Sequence, residues 1–315
     1  MKKLAIVGVT GLVGQSVLNV LREENLSNKF EIFMFCSERS AGTNFEYNGK
    51  TYELYKLDET ILNFDLGYAI FLTDEAISRI WVKELSDRGT IVVDNSSAFR
   101  LAQNIPLVVP EINFKEIRTS DKIISNPNCS TIQLVIVLDR LLKLSKIATV
   151  VVSSYQSVSG AGKDALLDLK NKTNNIFECG IQDNFIASIG KISDNLNCSE
   201  ENKIILETKK ILNQEINVIA TTVRVPISFC HGESVYVKFE KSVNIEDVKK
   251  ILECDYIVFG DDLFYPSQCV GSNQTFVCRL RQHSDTEIVF FVIADNLRRG
   301  ASYNAIQILK KLEGF

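Results

Sequence analysis

The chain predicts an α/β fold in two parts: a doubly wound domain with a parallel sheet, then an α+β domain with a mainly antiparallel sheet. Three observations carry this expectation. Apolar, β-branched runs alternate with helical periodicity over about the first 125 residues. A glycine-rich turn joins the first of these runs to the first helical stretch. Beyond Leu144, long strand-like runs replace the alternation.

Taken in order, Lys3 to Val9 reads as a buried strand. Gln15 to Glu23 follows as a helix, with apolar positions at Val13, Val17, Val20 and Leu21. Further strands are expected at Glu31 to Cys36, Tyr68 to Leu72, Thr90 to Val93 and Lys122 to Ser125, with a helix from Asp74 to Arg88. A helix over Ser130 to Leu144 leads into the second domain. Strands are expected there at Ala148 to Ser154, Val218 to Pro226, Ser234 to Glu240 and Glu287 to Ala294, with helices over Ala161 to Thr173 and Glu200 to Leu212. Leu297 to Leu312 is helical again and is expected to return to the first domain. The expected division is therefore 1–127 with 297–315, and 128–296.

With 45% hydrophobic and 23% charged residues, the chain has the composition of a globular protein with a substantial core. Its net charge of -4 comes without a long basic run, which argues against a nucleic-acid surface and for a small-molecule partner. Lys2 and Lys3 before an apolar stretch resemble an export signal. Glycines at turn spacing and the polar Gln15, Asn19 and Arg22 favour a first strand instead. No apolar run approaches the roughly 18 residues that a membrane span needs, so a cytoplasmic location is expected. The eight cysteines are scattered singly, which supports neither a disulfide framework nor a metal site.

Gly8-Val9-Thr10-Gly11-Leu12-Val13-Gly14 lies where a Rossmann-type nucleotide-binding domain turns from its first strand into its first helix. Glycines there let the backbone approach a pyrophosphate, and the helix amides attract its charge. Gly8, Thr10, Gly11, Leu12 and Val13 are therefore candidate cofactor contacts. At the end of the second strand, Arg39 and Ser40 suit a 2′-phosphate and point to NADP. Neighbouring Glu38 leaves open a ribose-binding alternative.

Cys129, in Asn126-Pro127-Asn128-Cys129-Ser130-Thr131, sits between a strand and a helix. Ser130 or Thr131 is the expected N-cap. The positive end of a helix dipole stabilises thiolate, which makes Cys129 the candidate nucleophile. Of two histidines, His283 falls in a polar stretch expected to be a loop. His231 falls between two strands and is the candidate proton partner.

These motifs, with Asp94-Asn95-Ser96-Ser97-Ala98-Phe99-Arg100, Val109-Pro110-Glu111-Ile112-Asn113, Tyr155-Gln156-Ser157-Val158-Ser159-Gly160-Ala161-Gly162 and Ala294-Asp295-Asn296-Leu297-Arg298-Arg299-Gly300-Ala301, resemble the aspartate-semialdehyde dehydrogenase family in its order over almost the whole chain. The resemblance implies NADPH-dependent reduction of L-4-aspartyl phosphate to L-aspartate 4-semialdehyde through a Cys129 thioester, feeding lysine, threonine, methionine and isoleucine synthesis. It implies an acid/base role for His231 and substrate orientation by Gln156 and Asn128. Arg224 would hold the substrate carboxylate, Arg100 and Lys203 the phosphate, and Glu200 the amino group. Ser159, Gly160 and Asn296 would approach the nicotinamide, and the second domain would form a homodimer. Two departures from the family pattern, Ile189 to Leu196 and Asn273, are expected to touch none of these residues. N-acetyl-glutamyl-phosphate reductase and a non-catalytic nucleotide-binding relative are the competing readings. The free amino group that Glu200 would receive favours the first over the former, and joint retention of Cys129, Gln156, Arg224 and His231 speaks against the latter.

Overall fold

A computed structural model describes residues 1–314. Contacts group the chain into two compact units, Met1–Pro127 with the segment from Ala301 onward, and Asn128–Gly300.

In the first unit, strand β1 (Lys2–Val7) leads into helix α1 (Leu12–Glu23), then β2 (Phe30–Cys36), a hairpin of β3 (Asn44–Tyr47) and β4 (Lys50–Lys56), β5 (Tyr68–Phe71), α2 (Glu75–Asp87), β6 (Ile91–Asp94) and β7 (Ile123–Ser125). The sheet order is β3-β4-β2-β1-β5-β6-β7, and every pairing is parallel except β3 with β4. Side chains of β1 alternate between two cores. Leu4 and Ile6 join Val17, Leu21, Ile306 and Leu309 on one face, whereas Ala5 and Val7 join Val82 and Leu85 on the other. Burial on both faces explains why this strand is a continuous apolar run. It ends two residues before the expected Val9, because Gly8 turns to a φ of 87°.

The β3–β4 hairpin was not among the expected elements. Asn48 and Gly49 form its turn with φ of 51° and 74°, the left-handed pair that a two-residue hairpin requires.

In the second unit, α3 (Cys129–Leu142) is followed by β8 (Ile147–Gln156), α4 (Lys163–Asn171), α5 (Ser199–Leu212), β9 (Asn217–Arg224) and β10 (His231–Phe239). Then come α6 (Ile245–Leu252), β11 (Ile257–Phe259), α7 (Pro266–Cys269), β12 (Thr275–Ser284) and β13 (Glu287–Ala294). The sheet order is β11-β12-β13-β10-β8-β9. It is mixed: β8–β9 and β11–β12 are parallel, and the other three pairings are antiparallel. His283, expected in a loop, lies near the end of β12. That end of the strand is exposed, so its residues are polar, and pairing with β13 supplies the order that composition hides.

The chain closes with a wide turn at Arg298–Ser302 and helix α8 (Tyr303–Glu313). Within the first unit, α8 packs on α1. Ser302 and Ser16 share a hydrogen bond of 2.7 Å, and Lys310 pairs with Glu24 at 2.5 Å.

Candidate active site

Cys129 is the first residue of α3, and the cap before it is Asn128, not Ser130 or Thr131 as expected. Asn128 is extended (φ -61°, ψ 145°), and its Oδ1 accepts the amides of Ser130 at 3.0 Å and Thr131 at 3.2 Å. The two hydroxyl residues are thus recipients of the cap inside the first turn. The other side of the amide is used as well: Nδ2 donates to Glu200 at 2.7 Å, and the Asn128 backbone N–H donates to Glu207 at 2.7 Å. The nucleophile candidate therefore sits on a helix start anchored twice to α5, at the positive end of the dipole. Gly300 closes against it; a Cβ there would lie 2.8 Å from Cys129 Cβ.

Three further candidates form one row across the sheet. Arg224 is the partner of Gln156 in the β8–β9 register, and Gln156 is the partner of His231 in the β8–β10 register. Paired positions share a face, so residues far apart in sequence present their side chains together. All three are buried. Arg224 Nη1 donates to the Ser157 carbonyl at 2.7 Å. Burial lowers its pKa, opposed by the negative charges of Glu200 and then of the Cys129 thiolate. Gly160 abuts the row, and a Cβ on it would lie 2.9 Å from Arg224 Nη1 and 3.3 Å from His231 Cε1.

His231 Nδ1 accepts the Ser157 backbone N–H at 3.1 Å. An amide can only donate, so the neutral ring carries its proton on Nε2, which has no hydrogen-bond partner among the described residues. Burial and then Arg224 push the imidazole pKa down to about 3. Asn296 Oδ1 gathers the surrounding loops, accepting from Ser157 Oγ and Ser159 Oγ at 3.2 Å each and from the Cys230 N–H at 3.0 Å. Glu200 and Lys203 pair at 3.1 Å on α5. Contrary to expectation, the Ile189 to Leu196 segment does touch a candidate, because the Glu200 backbone N–H at the open start of α5 donates to the Ile189 carbonyl at 3.3 Å.

The remaining candidates lie in the first unit. At the carboxyl ends of β1, β2 and β5, a cavity of about 310 Å³ is lined by Gly8, Thr10, Gly11, Cys36, Ser37, Leu57, Leu72, Thr73, Asp74, Ile77 and Trp81. This is the point where successive strands leave β1 on opposite sides, the usual crevice of a doubly wound sheet. A Cβ on Gly8 would lie 2.5 Å from the Leu72 carbonyl oxygen, and helix α1 begins at Leu12 without a side-chain cap. Leu12 and Val13 form its first turn, whose amides are thus available to an anion. Arg39 and Ser40 form a short turn after β2, with Arg39 exposed. Glu38 is engaged by Lys56 at 2.9 Å, which draws its carboxylate toward β4. Arg100 is buried, and its Nη2 donates to the Asn95 carbonyl at 2.7 Å.

Glu207, Ser157 and Gly300 escaped the sequence reading. Glu207 was accessible in principle: Glu200, Ile204, Glu207 and Ile211 fall at one-face helical spacing, and a carboxylate within a buried stripe needs a partner. Ser157 acts through its backbone and Gly300 through its lack of a side chain, so neither leaves a chemical signature.

Known proteins match the chain in both of its units. Residues 3–120 match the model of the semialdehyde dehydrogenase NAD binding domain, and 138–299 that of the semialdehyde dehydrogenase dimerisation domain. The aspartate-semialdehyde dehydrogenase of Bacillus subtilis (strain 168) is 37% identical over 98% of this chain and 97% of its own length. That of Aquifex aeolicus (strain VF5) is 36% identical over the same shares. The crystal structure of aspartate semialdehyde dehydrogenase II from Vibrio cholerae superposes with a TM-score of 0.91 at 36% identity, covering 100% of both chains. With its motifs in order, its two units matched and its full length aligned, the chain belongs to the aspartate-semialdehyde dehydrogenase family.

Proposed function

We propose that the chain is an NADP-dependent, phosphorylating aspartate-semialdehyde dehydrogenase working through a Cys129 thioester. The observation that carries this reading is the placement in one unit of a thiol at a capped helix start and the row Arg224–Gln156–His231. The Vibrio cholerae relative, 35% identical in a second structure, is described there as complexed with ASA.

In this reading the Cys129 thiolate attacks the acyl carbon of aspartyl phosphate, forming a C–S bond as the C–O bond to phosphate breaks. Arg224 holds the α-carboxylate, a match of planar guanidinium to carboxylate. Glu200 receives the amino group, Lys203 neutralises the departing phosphate, and Gln156 and Asn128 orient the acyl chain. Since His231 is neutral with its proton on Nε2, its first role is to donate to the oxygen that becomes negative in each tetrahedral intermediate. NADPH, when bound, would supply the hydride that reduces the thioester; breaking of the C–S bond then returns the Cys129 thiolate and releases the semialdehyde. Ser159, Gly160 and Asn296 provide the wall for a nicotinamide ring.

The residues of the first unit fit the cofactor. An uncapped helix start and the Gly8 turn suit the pyrophosphate, apolar Leu57, Leu72, Ile77 and Trp81 suit an adenine, and Arg39 with Ser40 suits the 2′-phosphate. We assign cofactor binding to this unit, and catalysis and dimerisation to the second. On the second sheet, Tyr155, Ile219 and Phe291 share the partly exposed face, with the Tyr155 and Phe291 rings stacked at 6.1 Å, and this face is assigned to a homodimer. No helix among the described residues is long and apolar enough to cross a membrane, and a cytoplasmic location is part of the proposal.

The test is phosphate-dependent reduction of NADP by L-aspartate 4-semialdehyde, with N-acetylated glutamate semialdehyde in parallel. Turnover of the first and not the second is expected, with none in Cys129→Ala. Full activity of that variant would refute the thioester.

A further inference from the structure

Glu233 lies two residues beyond His231 on β10, on the same face of the sheet, opposite Ser154 of β8 and Val292 of β13. It is fully buried. From α3, the amide of Gln133, also fully buried and one turn beyond Cys129, faces the carboxyl group. Neither carboxyl oxygen of Glu233 and neither amide atom of Gln133 reaches a partner at hydrogen-bond geometry among the described residues. Ser154 is already engaged as acceptor from Gln156 Nε2 at 3.2 Å. His231 and Arg224 stand in the neighbouring row of the same face, Cys129 lies one turn before Gln133 on α3, and the Cys198 thiol at the start of α5 reaches Thr222 of the Glu233 row at 3.1 Å.

An ionised carboxylate in such a place lacks compensation, and burial drives Glu233 well above the usual carboxylate range. A protonated one is complementary to a primary amide. Its O–H donates to the amide oxygen, and the amide N–H donates to its carbonyl, so a small side-chain rotation closes two bonds. We propose that Glu233 is a positioning residue: a neutral carboxylic acid that pairs with Gln133 and so fixes the start of α3, with Cys129 at its head, against the strand carrying His231. The inference rests on the thioester reading of Cys129.

Three substitutions in the full chain test it: Glu233→Ala, Gln133→Leu and Glu233→Gln. The first two are expected to lower kcat roughly 10- to 100-fold at unchanged KM for aspartate semialdehyde, the scale of a small misplacement of reacting groups. Glu233→Gln recovers most of that loss, since two amides make the same pair of bonds. The pH midpoint of iodoacetamide alkylation at Cys129 moves by less than about half a unit in Glu233→Gln, because no charge is removed. Infrared spectra of the parent protein near neutral pH carry a protonated-carboxyl band that Glu233→Gln abolishes. Absence of that band, an alkylation midpoint about one unit lower in Glu233→Gln, or full kcat in folded Glu233→Ala would each overturn the assignment. The infrared and alkylation arms need no substrate, so a failure of the assigned activity appears separately, in the parent protein.

Discussion

Burial beside Arg224 holds the His231 imidazole down to about 3, against an ordinary value of 6.5. In the unfolded chain the same ring takes up its proton near 6.5, so between these values the unfolded state binds more protons and stability rises with pH. The contribution is complete above 6.5 and is lost progressively as pH falls toward 3. His231→Asn is expected to flatten this limb of the stability curve, as measured by urea unfolding from about pH 7 down to pH 4; an unchanged slope would show that the ring does not titrate as its burial requires. Gly160 is the second residue with a sharp consequence. Arg224 Nη1 is tied to the Ser157 carbonyl and has little room to retreat from an added methyl group. Gly160→Ala should therefore displace it and raise KM for the semialdehyde about tenfold, equivalent to about 1.4 kcal/mol of carboxylate binding.

At the scale of elements, two short features set the frame. The Asn128 cap satisfies two amides of α3 and hydrogen-bonds to Glu200 on α5. Asn128→Ala is expected to cost about 1 kcal/mol from the cap alone, read as a lowered thermal midpoint. It should also slow alkylation of Cys129, since the helix start that polarises the thiol is loosened; a variant that unfolds earlier with an unaltered thiol would separate cap from chemistry. The Asn48–Gly49 turn fixes the β3–β4 register, and an Asn-Gly pair is the strongest short hairpin signal a sequence offers. The expectation passed over it because alternating βα patterns dominate the surrounding residues. Within the second unit, α6, α7, β11 and β12 also lie outside the expected elements. A three-residue strand carries too little periodicity to be seen, and β12 changes from buried at Thr275 to exposed at Ser284 as it leaves the core.

At the scale of the whole molecule, cofactor choice and assembly are the accessible properties. Arg39 is exposed, which suits a 2′-phosphate that remains half in water. Arg39→Ala should raise KM for NADPH about tenfold while leaving NADH nearly unchanged, the loss expected for one charge-assisted phosphate contact. Equal efficiency with both nucleotides in the parent protein would remove the basis for that pocket. For assembly, Ile219 is 51% exposed and Tyr155 39% exposed on the same sheet face. Ile219→Glu is expected to shift sedimentation from dimer to monomer, and a monomeric parent would refute the assigned interface.

Local pattern by itself determined the alternation of β1, α1 and β2, the Gly8–Gly14 turn and the identity of Cys129 as the distinctive cysteine, because strand period, helix period and a glycine turn are written in consecutive residues. The two-histidine count singled out His231, and the family motifs added Gln156 and Arg224, all three as names without a geometry. Only the tertiary structure decided that these three stand in one row, because register across β9, β8 and β10 is a property of paired strands and not of any one of them. It also decided which nitrogen of His231 carries the proton, through a backbone amide 74 positions away in sequence. Burial is the common reason: the same imidazole or carboxyl has an ordinary charge in water and loses it once neighbouring elements have excluded the solvent, whereas the buried Arg224 guanidinium keeps its charge.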